Sequence, residues 1–250
     1  MQAARAVDVT WQQRAGGALD SKRIDSELEA AVKGDAGFTF YSKGSVDDAQ
    51  AQAGQKIEAW YRAPYLAHAT MEPMNCTAQV KDGRVEIWAP TQVPQMARAI
   101  AARVAGVSAD QVIVHVTLLG GGFGRRLEVD YVAQAVRVAM ECGGRPVQLM
   151  WSREEDMTHD YFRPMQVALL QASLDKAGDV TGLSIKSAGD AITPRWMERT
   201  LPALSGPIDM PDKTAAEGLF DLPYGIANQR KSHVATPMGL PCGFWRSVGH

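Results

Sequence analysis

Leu118-Leu119-Gly120-Gly121-Gly122-Phe123-Gly124-Arg125-Arg126 is the stretch on which the reading of this chain turns. Three consecutive glycines, an aromatic residue and a fourth glycine lie between an apolar strand pattern and a helical one. Such a run removes every Cβ that would keep backbone N–H groups away from a ligand, and it permits positive φ where a sharp turn needs it. The two arginines that follow suit an anionic group. The loop therefore reads as one that lets main chain touch a large, negatively charged ligand. Upstream, residues 112–118 are β-branched and apolar, the signature of a buried strand. Downstream, Val129, Val132, Ala133, Val136 and Met140 recur at helical spacing, and Cys142-Gly143-Gly144 with Pro146 stops the helix. A helix start this close to the glycines places free N–H groups where an anion binds.

Two familiar glycine motifs fail on named residues. A phosphate-binding P-loop ends in Gly-Lys-Ser/Thr, and no lysine followed by a hydroxyl is present here. A dinucleotide fingerprint takes Gly120 and Gly122 but needs a third small residue where Arg125 stands. A tight turn that binds nothing is the alternative the run alone leaves open.

Composition narrows the classes. The 250 residues suffice for one large domain or two small ones, and the 46% apolar and 22% charged shares are those of an ordinary globular protein. A formal net charge of −2 argues against nucleic acid or an anionic membrane as main partner. No run approaches the ~18 apolar residues of a membrane span. Cys76, Cys142 and Cys242 make no CxxC pair, so neither zinc nor an iron–sulfur cluster is expected on this chain; they read as inert small hydrophobes.

Outward from the loop, residues 2–11 read as a helix end and a short strand. Residues 15–55 read as a polar connecting segment with a helix over Ser26–Lys33, and 56–250 as a packed domain. Within it, residues 78–88 form a hairpin about Lys81-Asp82-Gly83-Arg84. Pro94 opens a helix whose buried face is Met96, Ala99, Ile100 and Val104. Residues 147–151 form a strand ending in the charged Ser152-Arg153-Glu154-Glu155-Asp156. Residues 167–174 and 180–187 form a second hairpin, and 188–245, rich in Pro, Gly and Met, reads as mostly irregular. The class is α+β, mixed sheets with packed helices.

Five segments in order resemble the xanthine oxidase family of molybdenum hydroxylases. They are Pro64-Tyr65-Leu66-Ala67-His68-Ala69-Thr70-Met71-Glu72-Pro73; Thr91-Gln92; the glycine loop; Pro146-Val147 with Ser152 to Met157; and Gly243-Phe244-Trp245-Arg246. The variety most similar is the large, beta subunit of isoquinoline 1-oxidoreductase, which ends the glycine motif in Arg-Arg, with aldehyde oxidoreductases close by. The resemblance implies the family's first molybdopterin-binding domain, truncated at its C-terminal end, with residues 1–14 closing a preceding small hammerhead-like α/β domain. It implies that Gln92 hydrogen-bonds an oxo ligand of molybdenum. Gly121, Gly122, Phe123 and Gly124 lie beside the metal, Gly124 being required because a side chain would strike the metal's ligands, and Arg125 flanks the site. Arg246 lies near the substrate and stabilises negative charge there. No side chain ligates the metal, which is held by the pterin's dithiolene.

The implied reaction hydroxylates an N-heteroaromatic compound or oxidises an aldehyde with oxygen from water, the cofactor doing the hard chemistry. The resemblance further implies a cytosine dinucleotide form of the pterin, a separate small subunit with [2Fe-2S] clusters, a cytochrome as an electron acceptor, and a bacterial location with the periplasm favoured over the cytoplasm. Purine-oxidising members place an acid where this chain has Leu127, with Glu128 one residue on, which favours an apolar substrate. The family's general base, a glutamate, lies in a later domain, so the chain reads as a fragment, inactive alone, of a subunit roughly three times longer at ~100–200 residues per domain. A non-catalytic anion- or nucleotide-binding module and an inactive structural subunit are the competing readings. Among single residues, His68 is a candidate ligand or base, though a lone histidine is ordinarily a satisfied structural one. Glu72 reads as a structural hydrogen-bonder. Arg153 to Asp156 either form a solvated turn or shape the site. Trp196, Met197, Met210 and Met238 line a funnel or merely pack.

Overall fold

The structure, a computed structural model, describes residues 7–10, 12, 19–220 and 222–246. Residues 7–10 carry neither helix nor strand, and the remainder of the helix end and strand expected over 2–11 lies outside the described residues. Among the described residues no helix is long and apolar enough to cross a membrane.

Two sheets organise the chain. The four-stranded sheet is built from β3 (Asn75–Lys81), β4 (Arg84–Ala89), β5 (Val112–Val116) and β6 (Val147–Met150), in the order β5-β4-β3-β6. The expected hairpin joins β3 to β4 through Asp82 and Gly83, both at positive φ (49° and 70°), as a two-residue turn requires. β5 runs parallel to β4, reached through helix α3 (Pro94–Ala105). Helix α4 (Asp130–Met140) returns the chain to β6. Both helices lie on one face, where Val85, Ile87 and Ala89 of β4, Cys76 and Ala78 of β3, and Tyr131, Val132, Ala135 and Val136 of α4 are buried together.

Two expectations shift here. The buried face of α3 is Ala97, Ala101 and Ala102, one position round from the one read in the sequence. Small side chains let α3 sit close. Of the face read in the sequence, Ile100 and Val104 pack half-buried against the same core, while Met96, Ala99 and Ile100 line a cavity of about 350 Å³ shared with Val129 and Ala133. β5 is an edge strand, and its Ile113 and Val116 are 49% and 52% exposed, so its apolar run does not mark a buried strand. β-Branching favours the pleat whether or not the strand is covered.

The five-stranded sheet takes β1 (Phe38–Lys43), β2 (Gln55–Ala63), β7 (Gln166–Leu174), β8 (Val180–Gly189) and β9 (Asn228–Ala235), in the order β1-β9-β8-β7-β2. The β7–β8 hairpin follows the expected course. Residues 15–55, read as a connection, contribute α1 (Ser21–Lys33), β1 and a short α2 (Val46–Ala51) to this unit. Asp20 caps α1 by accepting from the Lys22 and Arg23 amides, and Ile24, Leu28 and Val32 pack at i, i+4, i+8 against Val167 and Ala188. Three apolar positions on an otherwise polar helix are a thin signal, which is why the segment reads as a linker.

Strand β9 lies inside the region read as irregular. Its buried positions are Gln229, Lys231 and His233, so its alternation is of burial without hydrophobicity. The Lys231 ammonium donates to the Phe220 carbonyl at 3.1 Å and sits 4.8 Å from the Tyr41 ring. Burial lowers the His233 imidazole to about 4, and its Nδ1 meets the Ser187 hydroxyl at 2.8 Å. His233 is thus neutral in the fold and protonated in the unfolded chain once pH drops below its ordinary 6.5. Stability from this residue is complete above pH 6.5 and is lost as pH falls toward 4, by up to roughly 3 kcal/mol. Urea unfolding from pH 7 to 4 should show this loss in the wild type, and a flatter profile in His233→Gln; parallel profiles would refute it.

Candidate cofactor and substrate site

The site forms where β4 and β5 end. Because these neighbours are parallel, their carboxyl ends lie side by side, and Thr117 donates to the Ala89 carbonyl at 3.3 Å to extend the pairing. Residues 90–92 leave one strand and residues 117–124 the other, the crevice position that parallel strands make available. Two further segments close it, 64–74 and 241–246.

Gln92 is held from both sides. Its backbone amide donates to the Arg126 carbonyl at 3.1 Å, and its side-chain Oε1 accepts from the Gly124 and Arg126 amides at 3.2 Å each. Two amide donors on one oxygen assign the carboxamide orientation. Nε2 is therefore left, with no protein acceptor among the described residues, at the wall of a cavity of about 490 Å³. Leu119, Leu127, Phe123, Phe244, Trp245 and Arg246 line the same cavity. The amides of Gly121, Gly122 and Phe123 likewise donate to no described residue.

The glycines are needed, for a reason the sequence does not show. Gly121, Phe123 and Gly124 all take positive φ (102°, 54° and 105°), and Phe123 is one of only a few non-glycine residues to do so among those described. A Cβ on Gly122 would lie 2.6 Å from Gln92 Oε1, and one on Gly124 would fall on the Phe244 carbonyl oxygen, far inside the 3.0 Å limit. A Cβ at Gly124 thus already collides with protein, a reason for glycine in addition to the metal's ligands named in the sequence reading.

Arg125 and Arg126 are turned inward. Both are buried (1% and 0% exposed). Arg125 makes a bidentate pair with Asp130 at 2.9 and 2.8 Å, its Nε lies 3.0 Å from Asp160, and its guanidinium stacks between Trp151 and Tyr161. Burial works against its charge, and the carboxylates outweigh it to raise its pKa. Arg126 donates to the Gly121, Pro90 and Glu72 carbonyls and to the Glu72 carboxylate at 2.7–3.1 Å. Neither guanidinium is available to an anion, so the expected role of the Arg125 side chain toward a ligand gives way to one in the scaffold. Nor does a helix N-terminus meet the loop. A single 3₁₀ turn, Arg125–Leu127, intervenes before α4 begins at Asp130.

Glu72 serves as the hydrogen-bonder expected, accepting from Gly120 N at 2.9 Å and from Arg126. His68 is likewise structural, its ring buried against Asp160 and the Phe244 carbonyl. Burial pushes the Asp160 carboxyl up, but hydrogen bonds from His68 outweigh this and hold it below the ordinary value. The charged run becomes helix α5 (Arg153–Thr158), capped by Ser152, whose Arg153 donates to the Thr70 and Met71 carbonyls and so shapes the site at one remove. Glu128 turns away from the cavity into a buried pair with Arg199 at 2.5 Å, while Leu127 lines the cavity. Burial raises the Glu128 pKa. Trp196 backs the Phe244 ring at 5.8 Å, Met238 belongs to a core, and Met197 and Met210 line a separate cavity. Burial pushes the Cys76 thiol up to about 12, so it stays protonated.

The model of one family, described as the molybdopterin cofactor-binding domain, matches residues 31–205. The chain is 32% identical over 161 residues to the isoquinoline 1-oxidoreductase subunit beta of Brevundimonas diminuta, covering 63% of this chain and 20% of that protein. It is 30% identical over 189 residues to a membrane-bound aldehyde dehydrogenase [pyrroloquinoline-quinone] of Gluconacetobacter polyoxogenes, covering 75% of this chain and 24% of that one. Among solved structures, quinoline 2-oxidoreductase from Pseudomonas putida 86 superposes with a TM-score of 0.62 at 20% identity, covering 89% of this chain and 29% of its own, a likeness of fold. The chain thus spans about a fifth to a quarter of the length of these two relatives.

Proposed function

Because the chain belongs to the molybdopterin cofactor-binding domain family, within the xanthine oxidase family of molybdenum hydroxylases, we propose that the cavity at Gln92 is one wall of a molybdenum site in an oxidoreductase acting on an N-heteroaromatic compound or an aldehyde. The observation that carries this reading is the fixed Gln92 carboxamide beside the unpaired amides of Gly121 to Phe123. These are neutral donors, and no carboxylate, thiolate or imidazole stands among the described residues lining the cavity. Such a set suits a group that brings its own metal ligands. Bound there, a molybdenum–pterin group supplies two-electron oxidation with water as oxygen source.

The chain's own part is positional. Gln92 Nε2 offers its hydrogens to an oxygen acceptor on the cofactor without adding charge. Leu119, Leu127, Phe123, Phe244 and Trp245 give the substrate an apolar enclosure that favours an unsubstituted aromatic ring over a purine. Arg246, exposed at the rim, is the one cation among the described residues lining the cavity and can stabilise negative charge on the substrate. Electrons leave through [2Fe-2S] clusters on a small partner subunit to an acceptor such as a cytochrome. The nucleotide on the pterin is the cytosine form, and the periplasm is favoured over the cytoplasm as its location.

Metal analysis and pterin release on the full-length protein, coexpressed with its iron–sulfur partner, test this. About one molybdenum per chain is expected, with turnover of quinoline-type rings or aldehydes. Gln92→Ala should lower kcat by about 100-fold with molybdenum content unchanged, the loss typical of one preorganised donor. Finding no molybdenum, or a quinone cofactor in its place, would sink the reading.

A further inference from the structure

Arg125 follows Gly124 directly, and from its side chain a set of contacts can be traced back to Gly124 itself. Arg125 Nε lies 3.0 Å from Asp160 Oδ1. Asp160 is buried and accepts from the amides of His68 at 2.6 Å and Tyr161 at 2.7 Å, and both its oxygens lie 3.0 Å from His68 Nδ1. His68 Nε2 lies 2.7 Å from the Phe244 carbonyl, which can only accept, so the ring donates there. That carbonyl oxygen occupies the place a Cβ of Gly124 would take, which closes the ring. The next segment is tied in by the Arg246 amide, which donates to the Phe123 carbonyl at 2.7 Å.

We propose that His68 is a positioning residue: through the Phe244 carbonyl it holds residues 243–246 against the glycine turn, and so fixes the Phe244–Trp245 wall and Arg246 relative to Phe123. The argument is one of geometry and burial. Segment 241–246 joins residue 162 only through an isolated bridge, with Phe162 N donating to the Pro241 carbonyl at 3.0 Å and Gly243 N to the Phe162 carbonyl at 3.2 Å. Arg199 donates to the Cys242 carbonyl at 2.9 Å. Beyond residue 243 the hydrogen bonds among the described residues are those of the Arg246 amide and of His68, with Trp196 and Arg163 packed on the Phe244 and Trp245 rings. The ring is buried with its carboxylate, both side chains 1% exposed, so these bonds exchange with no competing water. Its use for a substrate rests on the reading of the site given above, whereas its existence does not.

Hydrogen exchange of the full-length protein, followed by mass spectrometry, reads the ring directly. In the wild type, 243–246 should be protected relative to the exposed 206–210 loop. His68→Ala should speed exchange at 243–246 by about tenfold, the scale of one lost hydrogen bond, leaving strands β3 and β4 unchanged. His68→Gln, which keeps an N–H within reach of the carbonyl, should restore most of the protection. If His68→Ala does not accumulate folded, Asp160→Asn replaces it with the same expected local loosening. An unprotected wild-type segment, unchanged exchange in the variants, or loosening spread evenly over all peptides would overturn the proposal. Exchange needs no metal, so absent molybdenum would count against the site reading alone, and unchanged exchange in molybdenum-loaded protein against the ring alone.

Discussion

Gly124→Ala in the full-length protein is expected to lose most of its molybdenum and at least about 100-fold of its activity. Two costs coincide at this residue. Its φ of 105° lies where side-chain-bearing residues are rarely found, a strain of about 1–3 kcal/mol. The added methyl also falls on the Phe244 carbonyl oxygen, which cannot simply rotate away because His68 Nε2 holds it at 2.7 Å. Either the turn or segment 243–246 must move by a distance comparable to an atomic radius. Displacement of that size at a reacting centre is what costs about 100-fold in rate. Gly143→Ala provides the control. Its φ is also positive, at 59°, but an added Cβ there meets nothing within 4 Å. That variant should keep its metal and lose only about 1 kcal/mol of stability. Molybdenum content and kcat of Gly124→Ala within twofold of wild type would show the close approach to be unimportant.

Arg126→Met should be the most destabilising single change near the site, by about 3–5 kcal/mol. The guanidinium is wholly buried and supplies four hydrogen bonds, to the Gly121, Pro90 and Glu72 carbonyls and to the Glu72 carboxylate. Methionine fills similar volume and donates nothing, leaving those oxygens without their donor and the carboxylate without its cation. Three of the four segments that form the site, 64–74, 90–92 and 117–124, are joined through this one side chain, so the loss should also lower cofactor retention. Arg126→Lys should recover only part of the stability, since one ammonium cannot span acceptors arranged for a planar fork. Urea unfolding followed by tryptophan fluorescence gives the comparison. A loss below 1 kcal/mol for Arg126→Met would refute the account.

Much of the site was legible because it depends on local backbone chemistry. Consecutive glycines announce a turn with bare amides wherever they stand, and the structure places Gly121 and Gly124 at positive φ beside an apolar cavity. Gln92 was found only through its resemblance to a known motif; nothing in its spacing from Gly124 says that Oε1 would accept from two amides of the loop. Phe244 and Trp245 line the cavity beside Arg246, and nothing in their local sequence marks them as lining. Asp160 left no trace, being 92 residues from the histidine it holds.

The fold divides in the same way. The hairpins at 75–89 and 166–189 carry their turn residues and alternation with them, and helix α4 its spacing, so each was visible in isolation. Strand β9 was not, because Gln229, Lys231 and His233 are buried polar residues whose satisfaction comes from Phe220, Tyr41 and Ser187 elsewhere in the chain. The sequence by itself therefore determined the turn, its neighbouring strand and helix, and the family to which they belong. Only the tertiary structure decided what the charges do. Arg125 and Arg126 look from the sequence like groups for a ligand, yet each is buried and paired within the protein. The reason is desolvation: a charge removed from water must find an opposite one close by, and which one it finds is set by the path of the whole chain, not by the residues beside it.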